Sequence, residues 1–136
     1  MTYIDSRYII KSQGVSTLAI TIVDIIGGDV VAKQRALTQP MYYVLLSLKE
    51  SRHGYEIMQY IDELTDGRVK VGPGTLYSLL ARFEEDDYIE MVSEEDNKKT
   101  YIITSKGNRL LNGEIRRLKS LLNDANKVLG GGLDEI

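Results

Sequence analysis

The sequence contains no cysteine and no tryptophan, and it has only one histidine and two prolines among 136 residues. The absence of cysteine excludes disulfides, thiol catalysis and metal sites built on thiolates. No run of about 18 uninterrupted apolar residues occurs, so we expect no membrane-spanning helix. Because Asp5 and Arg7 come early, the N-terminus does not read as a secretory signal, and we predict a cytoplasmic protein.

The chain also lacks an excess of basic residues. Its formal net charge is −3, since 17 Lys and Arg stand against 20 Asp and Glu. A protein that contacts nucleic-acid phosphates usually needs a basic surface, so this balance argues against such a partner on average. A local basic patch can still bind DNA, because salt screens charge repulsion beyond about 8 Å.

The residues present disfavour both catalysis and metal binding. His53 is the single histidine, and no nucleophile or second general base accompanies it, so we interpret it as a helix cap or a packing residue. The acidic run at residues 84–87 occupies consecutive positions, which do not converge on one ion in a helix. We predict no enzymatic activity, no metal and no cofactor.

From Thr38 onward, apolar residues that recur at helical spacing predict two successive helices. Thr38 is a suitable N-cap and Pro40 fits the first turn of the first helix, which should end near Glu50. A short connection at residues 51–54 leads to the second helix. This second helix should end near Gly67, because glycine suits a helix C-cap.

A third helix and a hairpin complete the pattern of a winged helix. The third helix should begin at Pro73, since proline is favoured at the first helical position. Its apolar stripe is Leu76, Leu79, Leu80 and Phe83, and its opposite face is small or polar. Two β-prone runs at residues 88–92 and 99–103 flank a charged loop at residues 93–98 and predict a hairpin. The predicted fold is mainly α (α+β), a winged helix-turn-helix with a two-stranded wing.

The last predicted helix, residues 105–129, has the most regular apolar pattern, with Ser105 as its cap. The apolar positions are spaced 4-3-4-3-4, as in helices that pack along another helix. They are Leu111, Ile115, Leu118, Leu122, Ala125 and Leu129. Such a helix reaches about 37 Å, longer than a small domain covers, so we predict homodimerisation through this stripe. Packing within one subunit, for instance against the N-terminal segment, is the alternative.

Several strings at characteristic separations carry a family resemblance. They are Met41-Tyr42-Tyr43-Val44-Leu45, Arg52-His53-Gly54-Tyr55-Glu56-Ile57, Gly72-Pro73-Gly74-Thr75-Leu76-Tyr77-Ser78-Leu79-Leu80-Ala81-Arg82 and Lys99-Thr100-Tyr101-Ile102-Ile103-Thr104-Ser105-Lys106-Gly107. Over about residues 37–129 the chain resembles PadR-family regulators of the short subfamily, which has a single C-terminal helix. The resemblance implies a dimeric, DNA-binding winged helix, and dimers of this subfamily include multidrug-sensing repressors. The chain departs from the family pattern in two respects. Residues 1–36 have no counterpart in the minimal pattern, and the sequence contains no tryptophan.

The resemblance implies an organisation in four parts. Residues 37–104 are the winged-helix DNA-binding domain, residues 105–129 are the dimerisation helix, and residues 130–136 are a tail. Residues 1–36 form an N-terminal extension to which the sequence assigns no role, because its apolar pattern fits a helix about as well as a strand.

In a helix-turn-helix, the N-terminal part of the recognition helix reads the major groove. The predicted DNA-binding residues are Lys70, Gly74, Thr75, Tyr77, Ser78, Arg82, Lys98 and Lys99. Three alternatives stay open. Tyr77 could pack on the wing, and Arg82 could pair with Asp86. The wing lysines could belong to a solvated turn that is balanced by the acids at residues 94–96.

The leading hypothesis is a sequence-specific homodimeric repressor that binds a pseudo-palindromic site in double-stranded DNA and is released by a small effector. The resemblance implies a small aromatic or cationic effector between the terminal helices and the core. The candidate lining residues are Met41, Tyr42, Leu111 and Ile115. The alternative hypothesis, motivated by the acidic balance, is a dimeric winged-helix interaction module without DNA binding.

Overall fold

The computed structural model describes residues 36–130, which contain four helices and three strands. Residues 1–35 of the predicted extension and residues 131–136 of the predicted tail lie outside the described part. The helices are α1 (Gln39–Ser47), α2 (Gly54–Leu64), α3 (Pro73–Glu85) and α4 (Ser105–Leu129). The strands are β1 (Arg52–His53), β2 (Ile89–Glu95) and β3 (Lys98–Ile103). The prediction of a mainly α winged helix is confirmed.

Helix α1 begins as predicted and ends earlier. The Thr38 hydroxyl accepts a hydrogen bond from the Met41 N–H at 3.4 Å, so Thr38 is the N-cap. The helix stops at Ser47 rather than near Glu50, because the Leu48 carbonyl accepts a hydrogen bond from the Ile103 N–H at 2.9 Å. This bond draws the chain out of the helix and towards β3.

The connection predicted at residues 51–54 is in fact a short strand followed by the start of α2. Arg52 pairs with Tyr101 and His53 with Thr100, so β1 adds a third strand in the order β1-β3-β2. The Arg52 guanidinium holds this strand in place, since it donates to the Ser47 carbonyl and lies over the Tyr60 ring at 3.9 Å. A two-residue strand has no sequence periodicity, so only the tertiary contacts define it.

The wing is a tight hairpin rather than two strands around a six-residue loop. Asp96 and Asn97 form a two-residue turn with φ of 52° and 64°. Two successive positive φ values are typical of a type I′ turn, which favours Asn and Asp. The register shifts between Met91 and Ser93, so Val92 forms a β-bulge in the edge strand.

The core joins α1, α2, α3, the sheet and the second turn of α4. Its buried apolar residues are Val44, Leu45, Leu48, Ile57, Ile61, Val69, Val71, Leu76, Leu80, Phe83, Ile89, Tyr101, Ile103 and Leu111. The turn between α2 and α3 is organised by the buried Thr65, whose hydroxyl donates to the Ile61 carbonyl at 2.9 Å and accepts from the Val69 N–H at 3.1 Å. Helix α2 therefore ends at Leu64, and Gly67 follows with a positive φ of 78°.

Helix α4 has the predicted end but a different cap. The Thr104 hydroxyl accepts a hydrogen bond from the Gly107 N–H at 3.0 Å, so Thr104 and not Ser105 is the N-cap. Gly107 is buried, and a Cβ there would overlap the Tyr88 carbonyl oxygen. The helix ends at Leu129, and Gly130 adopts a left-handed φ of 62°.

Candidate nucleic-acid interface

The first turn of α3 is exposed, while its rear face is fully buried. Residues 72–75 lie at the surface, and Leu76 behind them has no exposed area. Among the described residues 36–130, a Cβ placed on Gly72 or Gly74 would meet nothing within 4 Å, so this part of the chain leaves free space in front of the turn. The first N–H groups of a helix lack intrahelical partners and carry the positive end of the helix dipole. This end of α3 is therefore suited to an anion such as a phosphate.

Three of the predicted DNA-binding residues share one face of α3. Thr75, Ser78 and Arg82 are exposed and are spaced three and four residues apart. Within residues 36–130, Arg82 makes no ion pair, so the alternative in which it pairs with Asp86 does not hold in this structure. The guanidinium is free to contact a ligand.

Lys70 precedes α3 and already has a partner. Its ammonium lies 2.6 Å from the Asp62 carboxylate, with the two side chains 73% and 46% exposed. An ion pair that is this exposed contributes about 0–1 kcal/mol. Lys70 can therefore exchange Asp62 for a phosphate at little cost.

Tyr77 packs on α2, not only beside the wing. A Cβ on Gly54, the first residue of α2, would overlap the phenol ring of Tyr77. The Tyr77 side chain nevertheless stays 55% exposed. The sequence therefore identified an accessible tyrosine but missed the helix against which it rests.

A groove of about 760 Å³ separates α3 from the wing, and we call it the wing groove. It is lined by His53, Gly54, Tyr55, Tyr77, Leu80, Ala81, Glu84, Asn97, Lys98, Lys99 and Tyr101. The two wing lysines and Tyr77 line the same groove. Tyr55 and Glu84 also line it, although the sequence did not point to either of them as a site residue. Tyr55 is 64% exposed, and the string His53-Gly54-Tyr55 was its only sequence signal.

The interpretation of His53 as a helix cap is confirmed. It is the N-cap of α2, and its backbone N–H donates a hydrogen bond to the Glu56 carboxylate at 3.0 Å. This arrangement is a capping box, which fixes where α2 begins. The start of α2 therefore forms one rigid end of the wing groove.

The charges around the wing groove are of both signs. Lys98 and Lys99 are exposed, but each stands opposite a glutamate of β2 in the hairpin register, Glu95 and Glu94 respectively. Burial raises the pKa of the Tyr101 phenol, and the Glu84 and Glu94 carboxylates and the Tyr77 phenol raise it further. The wing is therefore not a purely basic element, as the acids in its sequence indicated.

The predicted dimerisation stripe divides into two parts along α4. Leu111 is 2% exposed and belongs to the core of its own subunit, so we correct its assignment to a subunit interface. Ile115 packs against the same core, as expected if this part of the stripe packs within one subunit. The remaining leucines of the stripe, Leu118, Leu122 and Leu129, are 38%, 56% and 47% exposed, and Ala125 is half-buried.

Two further apolar residues widen the exposed part of this stripe. Leu121 and Val128 are 53% and 83% exposed and flank the 4-3-4 positions. Large apolar side chains that cluster on one exposed helix face mark an interaction site. Neither residue occupies one of the heptad positions, so the apolar spacing of the sequence did not identify them. We call Leu118, Leu121, Leu122, Ala125, Val128 and Leu129 the α4 stripe.

An ion pair between a buried glutamate and a partly exposed arginine lies next to the α4 stripe. The Glu114 side chain is 4% exposed and accepts two hydrogen bonds from Arg117, at 2.9 and 2.5 Å, and one from the Leu37 N–H at 3.2 Å. The hydrogen bonds from Arg117 lower the pKa of Glu114, although burial acts in the opposite direction. This carboxylate ties the segment before α1 to α4.

Three of the candidate effector residues lie at the edge of the core. Met41, Tyr42 and Ile115 are partly buried and pack against the core, whereas Leu111 is fully part of it. Burial raises the pKa of Tyr42, and Tyr43 and Glu114 raise it further. Tyr42 and Tyr43 meet edge to face with ring centroids 5.1 Å apart.

Residues 36–130 contain no group of three or more metal-ligating His, Asp or Glu side chains. None of their helices is long and apolar enough to cross a membrane.

Comparison with known proteins identifies the family. The sequence model of the transcriptional regulator PadR-like family matches residues 44–113. A PadR-like transcription factor from Bacteroides fragilis is 31% identical, with a TM-score of 0.55 over 65% of this chain and 88% of that one. A transcriptional regulator from Clostridium thermocellum is 28% identical, with a TM-score of 0.55 over 65% of this chain and 90% of that one.

Curated relatives match over a shorter part of their length. The transcriptional regulator YqjI of Escherichia coli is 34% identical over 59 residues, which are 43% of this chain and 28% of that protein. An uncharacterized protein X of Lysinibacillus sphaericus is 37% identical over 70 residues, which are 48% of this chain and 64% of that protein. The chain thus spans less than two thirds of these relatives. The match at residues 44–113 covers half of the chain, which belongs to the PadR-like family of transcriptional regulators and is not an enzyme.

Proposed function

We propose that the chain is a cytoplasmic homodimeric repressor that binds a pseudo-palindromic site in double-stranded DNA. The observation that carries the proposal is the first turn of α3, which is exposed and, within residues 36–130, has open space beside Gly72 and Gly74, while the buried Leu76, Leu80 and Phe83 hold the helix from behind. In a dimer, two such helices would enter successive major grooves about 34 Å apart.

Each DNA-binding residue has a role that follows from its place. The α3 N–H groups beside Gly74 would receive a phosphate, and Thr75 and Ser78 would reach base edges. Arg82, one turn further along the same face, would reach a base or a phosphate. Lys70 would exchange Asp62 for a phosphate, and Tyr77 would donate its hydroxyl to one.

The wing would contribute through Lys98 and Lys99. Neither lysine has an ion pair within 4 Å in the described part of the chain, so both ammonium groups can contact phosphates. The glutamates opposite them weaken the local positive field, and α3 would therefore provide most of the affinity.

Dimerisation would occur through the α4 stripe. A second copy would cover its exposed leucines isologously, so that each residue of one subunit contacts the equivalent surface of its partner. Release from DNA would follow when a small aromatic or cationic effector binds beside Met41, Tyr42 and Ile115, because these residues lie on α1 and α4, which are in contact with each other. Such an effector must bind the two dimer states with different affinities.

The competing function is a winged-helix interaction module without DNA binding. It is favoured by one specific observation, the glutamates that stand directly opposite both wing lysines. In this case the α4 stripe would still mediate dimerisation, but the α3 face would dock on a protein.

The two functions are separated by a salt titration. The full chain is titrated by fluorescence anisotropy onto a duplex from the promoter of its own gene, with a shuffled duplex as competitor. We expect saturable, sequence-dependent binding that weakens steeply with salt. The absence of saturable binding to every promoter fragment would favour the interaction module.

A pair of lysine variants refines this test. Replacing both Lys98 and Lys99 by alanine should lower the slope of log K against log salt by about 2, because each phosphate contact contributes about 0.9. Lys119→Ala, an exposed lysine of α4, is the control and should leave the slope unchanged. An unchanged slope in the double variant would remove the wing from the interface.

A further inference from the structure

We propose that copies of this chain associate through a salt-sensitive contact between a basic face of α4 and the acidic end of α3. The basic face consists of Arg109, Arg116, Lys119 and Lys127, and the acidic end of α3 consists of residues 84–87. The contact is separate from the α4 stripe and from the first turn of α3. The distribution of charge along the chain and the exposure of both surfaces carry the inference.

Charge is divided unevenly between α4 and the part of the chain that precedes it. Residues 36–104 contain 7 Lys and Arg against 13 Asp and Glu, a formal net charge of −6. Residues 105–129, which form α4, contain 6 Lys and Arg against 2 Asp and Glu, a formal net charge of +4. Surfaces of opposite charge on one chain can attract each other between two copies.

The basic face occupies one side of α4, and its four cations are all exposed. At about 100° per residue they fall within about 80° of the helix circumference, and the α4 stripe is centred about 170° away from them. From Arg109 to Lys127 the face extends about 27 Å, at a rise of about 1.5 Å per residue. A second copy that covers the α4 stripe therefore leaves the basic face open.

Both surfaces lack partners in the described part of the chain. Within residues 36–130, no cation of the basic face and no carboxylate of the acidic end makes an ion pair within 4 Å. Three of the four carboxylates are exposed, and only Asp86 is half-buried. These charges are therefore available to opposite charges on another molecule.

The two surfaces begin at the junction of α3 and α4. The Lys106 ammonium donates a hydrogen bond to the Asp86 carbonyl oxygen at 2.9 Å, and the Thr104 hydroxyl donates to the Asp87 carbonyl oxygen at 2.7 Å. Lys106 supplies one positive charge there, against the four carboxylates of the acidic end. Two copies related by a twofold axis can exchange this contact, since each has both surfaces.

A second copy fits the basic face better than DNA or an anionic membrane. The end of α3 that would enter the major groove is its N-terminus, whereas α4 begins beside its C-terminus, about 20 Å away along a 13-residue helix. The exposed apolar residues that a membrane would bind form the α4 stripe, on the opposite side of the helix. The acidic end of α3 supplies the matching charge within the chain itself.

Sedimentation velocity of the full chain without DNA measures this contact. Charge interactions reach about 30 Å in about 0.01 M salt but only about 3 Å in about 1 M salt. We expect the mass in low salt to approach twice the mass in high salt as the protein concentration rises. The mass in high salt reports apolar association through the α4 stripe, so the two kinds of association succeed or fail separately.

Two double variants locate the contact. Arg109→Glu with Arg116→Glu reverses two charges of the basic face, and Glu84→Lys with Glu85→Lys reverses two charges of the acidic end. Alone, each variant should associate at least about tenfold more weakly than the parent in low salt, because like charges then meet and each lost ion pair is worth up to about a factor of five. An equimolar mixture should associate as the parent does, because opposite charges meet again.

Glu63→Lys with Glu90→Lys is the matched control, since it adds the same charge at exposed carboxylates outside the acidic end. It should associate like the parent. Equal masses of the parent in low and high salt would overturn the proposal, and so would a mixture of the reversed variants that stays apart. Binding of a random duplex or of phosphatidylserine vesicles through Arg109 and Arg116, without self-association, would assign the basic face to that partner instead.

Discussion

Replacing Leu122 by alanine should weaken association of the subunits while leaving the fold of each protomer intact. Leu122 lies in the α4 stripe and is 56% exposed, so much of its apolar surface lacks a partner within residues 36–130. If a second copy covers this surface, truncation removes contacts across the interface. If nothing covers it, truncation changes almost nothing.

The magnitude follows from the exposed fraction. Full burial of a leucine side chain contributes about 2 kcal/mol, so burial of the remaining half contributes about 1 kcal/mol per copy. An isologous interface contains the residue twice, which gives about 2 kcal/mol and about a 30-fold rise in the dimer dissociation constant. Leu111→Ala should instead lower the free energy of unfolding by about 3 kcal/mol, because Leu111 is 2% exposed and its loss leaves a cavity.

Sedimentation equilibrium over a range of protein concentrations measures this effect. Asn123→Ala changes the neighbouring helical position outside the stripe, so it is the matched control and should keep the parent dissociation constant. Equal dissociation constants for Leu122→Ala and Asn123→Ala would refute an interface at Leu122. A parent chain that is monomeric at every concentration would also refute it.

Three further predictions concern single residues. Gly107→Ala should lower the free energy of unfolding by about 2 kcal/mol in a denaturant titration, because its Cβ would overlap a backbone carbonyl that cannot move aside. Gly54→Ala should cost less than about 0.5 kcal/mol of stability but displace the Tyr77 ring and weaken DNA binding in the anisotropy assay. Because the pKa of Glu114 is lowered, its pairing with Arg117 stabilises the protein fully above the ordinary carboxyl range near pH 4, and this contribution is lost as the pH falls through the lowered value. Glu114→Gln should therefore flatten the loss of stability below about pH 4 in thermal melts.

Controls separate these effects from general damage. Gly74→Ala fills open space, so it should not destabilise the fold as Gly107→Ala does, and equal costs would contradict the packing argument. If Gly54→Ala binds DNA like the parent, the position of Tyr77 does not matter for binding. Glu85→Gln is an exposed carboxylate without an ion pair in the described residues, and a matching acid profile would show that Glu114 is not responsible.

The sequence by itself determined the elements that depend on local chemistry. Thr38 and Pro40 marked the start of α1, and Pro73 marked the start of α3, because caps and first-turn prolines act on the nearest backbone groups. The spacing of the apolar residues predicted the long helix that ends at Leu129. Apolar residues at helical spacing indicate a helix with one apolar face, regardless of which surface covers that face. The absence of cysteine excluded thiol chemistry outright.

Only the tertiary structure decided which groups meet across the chain. Strand β1 exists because Arg52 and His53 pair with β3, almost 50 residues away, and no local pattern encodes such a pairing. The regular stripe of α4 could not reveal that Leu111 faces its own core while Leu122 is exposed, because an apolar period is the same whether the covering surface belongs to one subunit or two. The wing groove and its buried Tyr101 arise from contacts among α2, α3 and the wing, which the fold alone brings together.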